Sequence, residues 1–327
     1  MHYRLLGSTG YTISEVGYGS WSLGADWGDV SEPQALEALK AAADAGVTFI
    51  DSADVYGDGR SEKIIGKFLK SRKDRIFVAT KAGRRLSPHE AEGYTTQNLN
   101  DFVDRSRKNL GMDTLDLLQL HCPPTSVYYR PEIFEALDKL VETKKIRHYG
   151  VSVEKVEEGM KALEYPGVST IQIIFNMFRQ RPAERLFAMA KQKNVGIIVR
   201  VPLASGLLTG AISADTHFPE NDHRNYNRDG KKFDVGETFS GIPFSSGLHA
   251  VEQLKQIQPA GYTMAQFALK WILMHDDIST VIPGGKRAEQ ILSNTKTSDL
   301  PNLTPQTVRA VNDIYTSAIK PFVHQRW

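Results

Sequence analysis

The sequence has little cysteine and no long apolar run, and these absences exclude several kinds of protein. Its 327 residues include one cysteine, Cys122, so no disulfide can form within the chain. No apolar run approaches the roughly 20 residues that a helix needs to cross a bilayer. The first residues also lack the apolar stretch of a signal peptide. We therefore expect a cytoplasmic protein that works away from membranes.

Strong net charge and the common ligand-binding motifs are missing as well. With 40 basic and 38 acidic residues the net charge is +2, which gives no reason to expect a nucleic-acid partner. Metal-ligand spacings such as HExxH or CxxC do not occur, so we expect no metal. No GxGxxG follows a strand-like segment, which argues against a Rossmann-type dinucleotide site.

What the sequence does contain is a regular alternation of short buried strands and amphipathic helices. Eight such β units run from Val16–Gly19 to Thr280–Ile282, a pattern typical of a parallel (β/α)8 TIM barrel. Outside the repeat we predict an N-terminal hairpin within residues 3–14, a long loop after strand seven within residues 203–245, and a C-terminal helix with a tail. No Pro/Ser-rich linker interrupts the chain, so we expect residues 1–327 to form a single domain.

Ionisable side chains follow several of the predicted strands. Asp51, Lys81 and His121 each end a short apolar segment, and Tyr56 comes shortly after Asp51. Since parallel barrel strands direct their carboxyl ends toward one cavity, these four side chains can meet. Such a set can protonate a carbonyl oxygen while a hydride reaches its carbon. We expect Tyr56 to be the general acid, with its pKa lowered by the Lys81 ammonium that Asp51 holds, and His121 to orient the carbonyl.

Six short motifs occur in a specific order along the chain. They are FIDSADVYG at 49–57, ATK at 79–81, LH at 120–121, GVS at 150–152, PLASGLLTG at 202–210 and IPG at 282–284. Each motif alone is weak, but together and in this order they make the chain resemble the aldo-keto reductases over nearly its whole length. The resemblance implies NADPH-dependent reduction of aldehydes or ketones to alcohols by direct hydride transfer, with Tyr56 as the proton donor.

The resemblance also implies an NADP(H) site across the top of the barrel. The matching positions are Ser152, Gln172, Arg200, Pro202, Leu203, Ser205, Gly206, Leu207, Gly284, Lys286, Arg287, Gln290 and Asn294. Lys286 and Arg287 open the last barrel helix, and two adjacent cations at a helix N-terminus suit the 2′-phosphate of NADP rather than NAD. Two positions depart from the pattern: Val153 stands where many members have Asn, and Arg200 stands where many have an aromatic ring.

Candidate substrate-pocket residues are Trp21, Trp27, Cys122, Tyr128 and Tyr129. Their aromatic rings suggest small aldehydes and ketones with apolar bodies. Sugars, glyoxals and lipid-derived aldehydes all stay open as the physiological substrate. We interpret Cys122 as a small lining residue rather than a nucleophile, because no activating base is evident beside it.

Two other functions stay open. A cofactor-sensing protein such as the potassium-channel β subunits of this same family would retain the same four residues, so those residues cannot discriminate it from an enzyme. A metal-free barrel hydrolase using Asp51 and Asp54 as paired carboxylates is the third candidate. The spacing of three residues makes an opposed placement of these carboxylates unfavourable.

The tail after the last predicted helix is rich in aromatic residues. We expect Pro321 to end the helix within a residue or two. Phe322 and Trp327 are then expected to dock into a groove. We expect that groove either near the barrel mouth of the same subunit or on a neighbour in a homo-oligomer. The alternative is a tail that packs elsewhere on its own barrel and serves only stability.

Overall fold

The computed structural model describes residues 1–24 and 27–327. Strand β1 (Tyr3–Leu5) pairs antiparallel with β2 (Thr12–Ser14), which confirms the predicted hairpin. Eight parallel strands follow within the described residues, and each is hydrogen-bonded to the next in chain order. They are β3 (Tyr18–Gly19), β4 (Phe49–Asp51), β5 (Phe77–Ala82), β6 (Leu115–His121), β7 (Ile146–Ser152), β8 (Val168–Ile174), β9 (Gly196–Arg200) and β10 (Ile278–Val281).

Contacts between the first and last strands close the sheet into a barrel. Val16 bridges to Val281 and Gly19 to Gly284, both in parallel. The Gly17 amide donates to the Val281 carbonyl at 2.8 Å. The predicted (β/α)8 barrel is therefore confirmed.

Helices cover the outside of the barrel. Their bounds are α1 (Glu32–Asp44), α2 (Arg60–Lys70), α3 (Thr96–Leu110), α4 (Pro131–Glu142), α5 (Val156–Ala162), α6 (Leu186–Gln192), α7 (His223–Tyr226), α8 (Phe244–Gln256), α9 (Met264–Leu273), α10 (Ala288–Lys296), α11 (Pro305–Ile314) and α12 (Lys320–Val323). Helix α1 begins with a capping box, in which Ser31 and Gln34 satisfy each other's backbone amides. None of the helices in the described part of the chain has the length and apolar character needed to cross a bilayer.

Apolar side chains form two layers, one inside the barrel and one between the strands and the helices. Phe49, Phe77, Leu117 and Ile198 form an inner cluster with Leu6 and Ile13, which the hairpin contributes. Neighbouring strand residues such as Ile50 and Val78 belong to the larger cluster that packs against the helices. Because side chains alternate along a strand, residues two positions beyond the inner cluster also face inward. The lower end of the barrel is filled, and the carboxyl end is left for polar groups.

The helix that precedes Pro321 ends at Ile319, two residues before the proline, which confirms that prediction, and a further short helix then begins. A π-helical turn spans Tyr315–Ile319, and Pro321 then lies in the first turn of α12. Proline is tolerated there because a first-turn amide has no intrahelical acceptor. Phe322 is 41% exposed, contrary to the docking expected of it, whereas Trp327 is 4% exposed and packs on its own subunit.

Candidate active site

Strand alternation brings the predicted catalytic side chains together at the carboxyl end of the barrel. Asp51 follows the inward-facing Phe49 by two residues, and Lys81 follows Ala79 by two. The Lys81 ammonium is 1% exposed and donates to Asp51 Oδ1 at 2.5 Å and to the Ser52 carbonyl at 2.8 Å. The Tyr56 hydroxyl lies 3.5 Å from Lys81 Nζ. A buried ammonium therefore links a carboxylate to a phenol.

Two glutamines that face the same space hold the second oxygen of Asp51. Gln172 on β8 donates to Asp51 Oδ2 at 2.7 Å, and Gln119 on β6 donates to it at 3.2 Å. Sequence reasoning missed Gln119, although its position two residues before His121 gives it the same inward direction. We call Asp51, Tyr56, Lys81, Gln119, His121 and Gln172 the strand-end cluster.

Burial sets the protonation states of this cluster. It raises the pKa of Tyr56 well above its usual value, and the charges of Asp51 and Glu237 add to the rise. The expectation that Lys81 lowers the Tyr56 pKa was therefore wrong for the protein alone. Burial also lowers the pKa of Lys81, against which Asp51 acts. Tyr56 consequently holds its proton across the physiological pH range.

His121 lies beside Tyr56 with its ring turned edge-on. The two ring centroids are 5.9 Å apart at 85°. Its Nδ1 atom is buried and has no hydrogen-bond partner among the described residues. Burial, and then the charges of Arg84, Lys81 and Arg200, hold the pKa of His121 well below its usual range. The imidazole is therefore neutral at pH 7, with one nitrogen able to donate a hydrogen bond.

A cavity of about 700 Å³ opens above Tyr56. Aromatic and apolar groups, among them Trp21, Val55 and Phe233, form one part of its lining. The other part is strongly polar and includes Lys232; we call four further charged members of this part the loop wall: Arg84, Glu154, Asp234 and Glu237. Sequence reasoning missed the loop wall. Arg84 and Glu154 closely follow β5 and β7, which is a usable signal, whereas no periodic pattern surrounds Asp234 and Glu237.

Ion pairs join the loop wall to strand β9. Glu237 accepts from Arg84 Nη2 at 2.5 Å and lies 3.5 Å from Arg200 Nη1. The two guanidinium charges lower the pKa of Glu237 to about 2 despite its burial. Burial and the neighbouring Asp234 and Glu237 raise the pKa of Glu154 to about 7. The wall thus combines fixed opposite charges with one carboxyl that titrates near neutrality.

Cys122 sits between the two parts of the site. Its sulfur is 3.4 Å from Arg200 Nη2 and 3.6 Å from the Ser152 hydroxyl. Burial raises the pKa of this thiol to about 11, so it is a poor nucleophile near pH 7. The sulfur also lies near carboxylates of Glu154 and Glu237. The arginines that contact the same carboxylates oppose a metal cation there.

Residues expected at the nicotinamide end of a cofactor lie beside this cavity. Ser152 ends β7 and donates to Gln172 at 3.4 Å. Arg200 ends β9, is 8% exposed, and donates to the Val153 carbonyl at 3.1 Å. Its Nε has no partner within residues 1–24 and 27–327. Arg200 therefore fills the position of an aromatic residue with a guanidinium held by the chain itself.

The segment expected to wrap a pyrophosphate follows β9 directly. After Pro202 and Leu203, the segment to Leu207 turns through Ser205 and Gly206, whose φ angles are +54° and +100°. A residue with a side chain is strained at such an angle, whereas glycine is not. The Ser205 hydroxyl donates to the Glu237 carbonyl at 2.9 Å and accepts from the Phe239 amide at 3.1 Å. The loop wall and this turn are thus one hydrogen-bonded unit.

The residues expected at the adenosine end gather at the start of α10. Gln290 accepts from the backbone amides of Lys286 and Arg287 at 3.0 and 3.3 Å, and Asn294 donates to the Gly284 carbonyl at 3.3 Å. Arg287 is exposed, whereas Lys286 is half-buried and its ammonium donates to the Trp27 carbonyl. Arg287 is the cation that faces solvent at this helix N-terminus.

The predicted substrate residues divide into two groups. Trp21 and Cys122 line the cavity, and Trp27 packs edge-on against Trp21 at 5.5 Å. Tyr128 and Tyr129 do not line the cavity. Tyr128 is fully buried under its own loop, and Tyr129 is 65% exposed with Lys161 over its ring.

Asp51 and Asp54 do not form a pair of carboxylates across a cavity. Asp51 is engaged by Lys81 and both glutamines, while Asp54 is fully buried and does not line the cavity. Neither oxygen of Asp54 has a partner in the described part of the chain. The hydrolase arrangement weighed from the sequence is therefore not what this geometry provides.

Comparisons with known proteins agree with the fold. The model of the aldo/keto reductase family matches residues 15–316. Aldo-keto reductase yakc of Schizosaccharomyces pombe, whose name specifies NADP(+), is 32% identical over 295 residues, 86% of this chain and 83% of that protein. A probable voltage-gated potassium channel subunit beta of Oryza sativa subsp. japonica is 28% identical over 98% of both chains. The solved glycerol dehydrogenase AKR11B4 of Gluconobacter oxydans superposes with a TM-score of 0.79 at 26% identity, over 97% of this chain and 96% of that one.

Proposed function

Since the chain belongs to the aldo/keto reductase family, we propose that it is an oxidoreductase that reduces aldehydes or ketones with NADPH, with Tyr56 as general acid. One observation carries the proposal most directly. A buried Lys81 lies between Asp51 and the Tyr56 hydroxyl, beneath a cavity large enough for a small substrate. Neutral His121 lies beside the same hydroxyl with an unused ring nitrogen, as far as the described residues go.

The chain's own residues fit a dinucleotide laid across the barrel top. The backbone at Gly206, the Ser152 and Gln172 polar groups, and the exposed Arg287 would hold its pyrophosphate, carboxamide and 2′-phosphate respectively. Gly284 leaves open space, since an added Cβ would have only the Gly19 carbonyl within 4 Å. Such a cofactor supplies a hydride to the carbonyl carbon.

Tyr56 holds the proton that the reaction consumes. The phenol is protonated at pH 7 and can donate to the carbonyl oxygen, but burial raises its pKa and makes it a weaker acid, so donation depends on stabilising the phenolate that forms. Lys81 then stabilises the phenolate that remains, while its own charge is held by Asp51. His121 donates a hydrogen bond that orients the carbonyl. The buried setting excludes water, which strengthens each of these interactions.

The polar half of the cavity favours substrates that carry hydroxyl groups near the carbonyl. Arg84, Glu154 and Glu237 offer donors and acceptors in the same cavity that Trp21 lines. Arg84 and Glu237 are already paired with each other, but a hydroxyl group placed there can add hydrogen bonds to these charged groups, which an alkyl chain cannot. This lining favours the sugars among the substrates that the sequence leaves open, beside the apolar bodies that the aromatic rings suggest. The similar structure whose name specifies a glycerol dehydrogenase supports the same direction.

Steady-state turnover tests the proposal. NADPH oxidation is measured with glyceraldehyde and with propanal, which lacks its hydroxyl groups, and each assay is repeated with NADH. We expect turnover with NADPH and a higher kcat/KM for glyceraldehyde. No turnover with these or with a panel of reactive aldehydes, aldoses and dicarbonyls would reject the enzymatic function.

A cofactor-sensing role is the second candidate, because the rice channel-subunit relative aligns over 98% of both chains. It predicts tight NADPH binding without useful turnover of any carbonyl compound. Fluorescence titration of NADPH beside the turnover assays separates the two functions.

A further inference from the structure

The last residue of this sequence packs against the site rather than against distant parts of the barrel. Trp327 is 4% exposed, and its indole N–H donates to both carboxylate oxygens of Asp234, at 3.0 and 3.1 Å. Asp234 itself lines the cavity above Tyr56. A tryptophan 93 residues further along the chain is thus one contact away from the proposed substrate.

Two glycines on the same segment make room for the indole. A Cβ added to Gly241 would lie 2.3 Å from Trp327 Cη2, and one added to Gly236 would lie 3.0 Å from Cε2. The first distance is too short for any real side-chain contact, and the second is tighter than most. The segment from Asp234 to Gly241 therefore contacts the ring near both of its ends.

Arginines fix the ring from the other side. The guanidinium of Arg179 lies 3.9 Å from the Trp327 ring centroid and donates to the Glu154 carbonyl at 3.2 Å. Arg181 donates to the Trp327 carbonyl and pairs with Glu157 on α5. The indole is held between Arg179, in the loop after β8, and the segment that carries Asp234, and Arg181 links the Trp327 main chain to α5.

The segment that Trp327 contacts carries functional groups between the two glycines. Glu237 accepts from Arg84 and lies beside Arg200, and its carbonyl accepts from Ser205 in the turn after β9. The 234–241 segment has no long helix or strand of its own, since it consists of short 3-10 turns. Its position therefore depends on contacts with other parts of the chain.

We propose that Trp327 is a positioning residue that holds the Asp234–Gly241 segment, and with it the Glu237–Arg84 pair, as the wall of the substrate cavity. The inference rests on the proposed function in so far as that wall binds a carbonyl substrate. The hydrogen bond from the indole N–H to Asp234 orients the segment, and the ring packs against the two glycines and Arg179. Trp327 touches none of the strand-end cluster, so its effect is on substrate binding.

Three variants test the role. W327A removes both the ring and the N–H, whereas W327F keeps one aromatic ring but loses the donor to Asp234 and part of the contact with Gly241. F322A changes an exposed aromatic residue in the same tail and is the matched control. For each variant we measure KM and kcat with glyceraldehyde, NADPH affinity by fluorescence titration, the melting temperature, and hydrogen–deuterium exchange of residues 234–241.

We expect W327A to raise KM by about tenfold, the scale of one hydrogen bond to a charged group, with kcat within about threefold. W327F should raise KM by an intermediate factor, with an unchanged melting temperature. Exchange should accelerate in residues 234–241 in both variants, and F322A should match the wild type throughout. If W327A does not fold, W327F still decides the matter.

Unchanged KM and unchanged exchange in folded W327F and W327A would overturn the proposal. So would a loss of kcat with KM unaltered. The exchange measurement needs no turnover, so it tests the positioning role even if the wild type reduces no aldehyde. A wild type that reduces no aldehyde would instead reject the proposed function.

Discussion

The strand-end cluster and the loop wall face the same cavity, but the chain builds them in different ways. Asp51 and Lys81 are 3% and 1% exposed and are fixed by the register of adjacent parallel strands. Arg84 and Glu154 are 18% and 26% exposed and extend from loops. Hydrogen bonding between neighbouring strands fixes the position of a side chain at a strand end. A side chain on a loop is held in place by contacts with distant parts of the chain, such as the contact that Trp327 makes. We infer that the strand-end cluster carries chemistry and the loop wall carries substrate binding.

Replacing Tyr56 tests the first half of this division and has the largest expected effect. Y56F removes the proton donor and keeps the ring that packs between Trp21 and His121. Turnover should fall by at least about 10²-fold, the usual contribution of a positioned acid. NADPH affinity and KM should change little. Near wild-type turnover of glyceraldehyde in Y56F would remove Tyr56 from the mechanism.

Asp54 shares a loop with Tyr56 but turns away from the cavity, so its effect should be on stability alone. Burial, and then repulsion by Glu62, raise its pKa to about 7. The unfolded state releases this proton near pH 4 and the folded state only near pH 7. Stability is therefore lost as pH rises through that window and does not fall further above it.

Asn cannot ionise, so D54N should not show this loss. Between pH 5 and pH 8 the unfolding free energy of the wild type should fall relative to D54N by roughly 2 kcal/mol. Urea unfolding at both pH values measures the difference, and D101N, at an exposed carboxyl on α3, is the control. Parallel pH curves for wild type and D54N would show that Asp54 is already ionised when folded.

The strand-end cluster could be predicted from the sequence to a greater extent than the loop wall. Asp51, Lys81 and His121 could be found because each ends a short apolar strand, and the barrel brings such ends together. Glu237 could not, since its partner Arg84 is 153 residues away and no periodic pattern surrounds it. The Tyr56 pKa was also misjudged, because burial outweighs one cation that is already paired with Asp51.

Changing Glu237 tests the second half of the division. E237Q keeps the shape but removes the charge that Arg84 and Arg200 share. KM for glyceraldehyde should rise by about tenfold because Arg84 loses its charged acceptor. The kcat should stay within about threefold. E164Q, at an exposed glutamate paired with Lys161, is the matched control. A fall in kcat as large as that of Y56F would place Glu237 in the chemical step and end the division proposed above.

The smallest effect is expected at the far end of the cofactor site, where neither the strand-end cluster nor the loop wall reaches. Arg287 is exposed at the start of α10, whereas the Lys286 ammonium is engaged by the Trp27 carbonyl. NADPH should be preferred over NADH, because the guanidinium and the helix N-terminus both favour a 2′-phosphate. R287A should narrow that preference by about fivefold through weaker NADPH binding, since an exposed charge pair contributes about 1 kcal/mol or less.

Two further variants and a control complete this test. K286A should narrow the preference for NADPH less than R287A does, and the double variant K286A/R287A should narrow it most. R309A, which removes an exposed cation from α11, should leave the ratio unchanged. Equal kcat/KM with NADPH and NADH in the unaltered protein would contradict the assignment of this helix N-terminus to a 2′-phosphate.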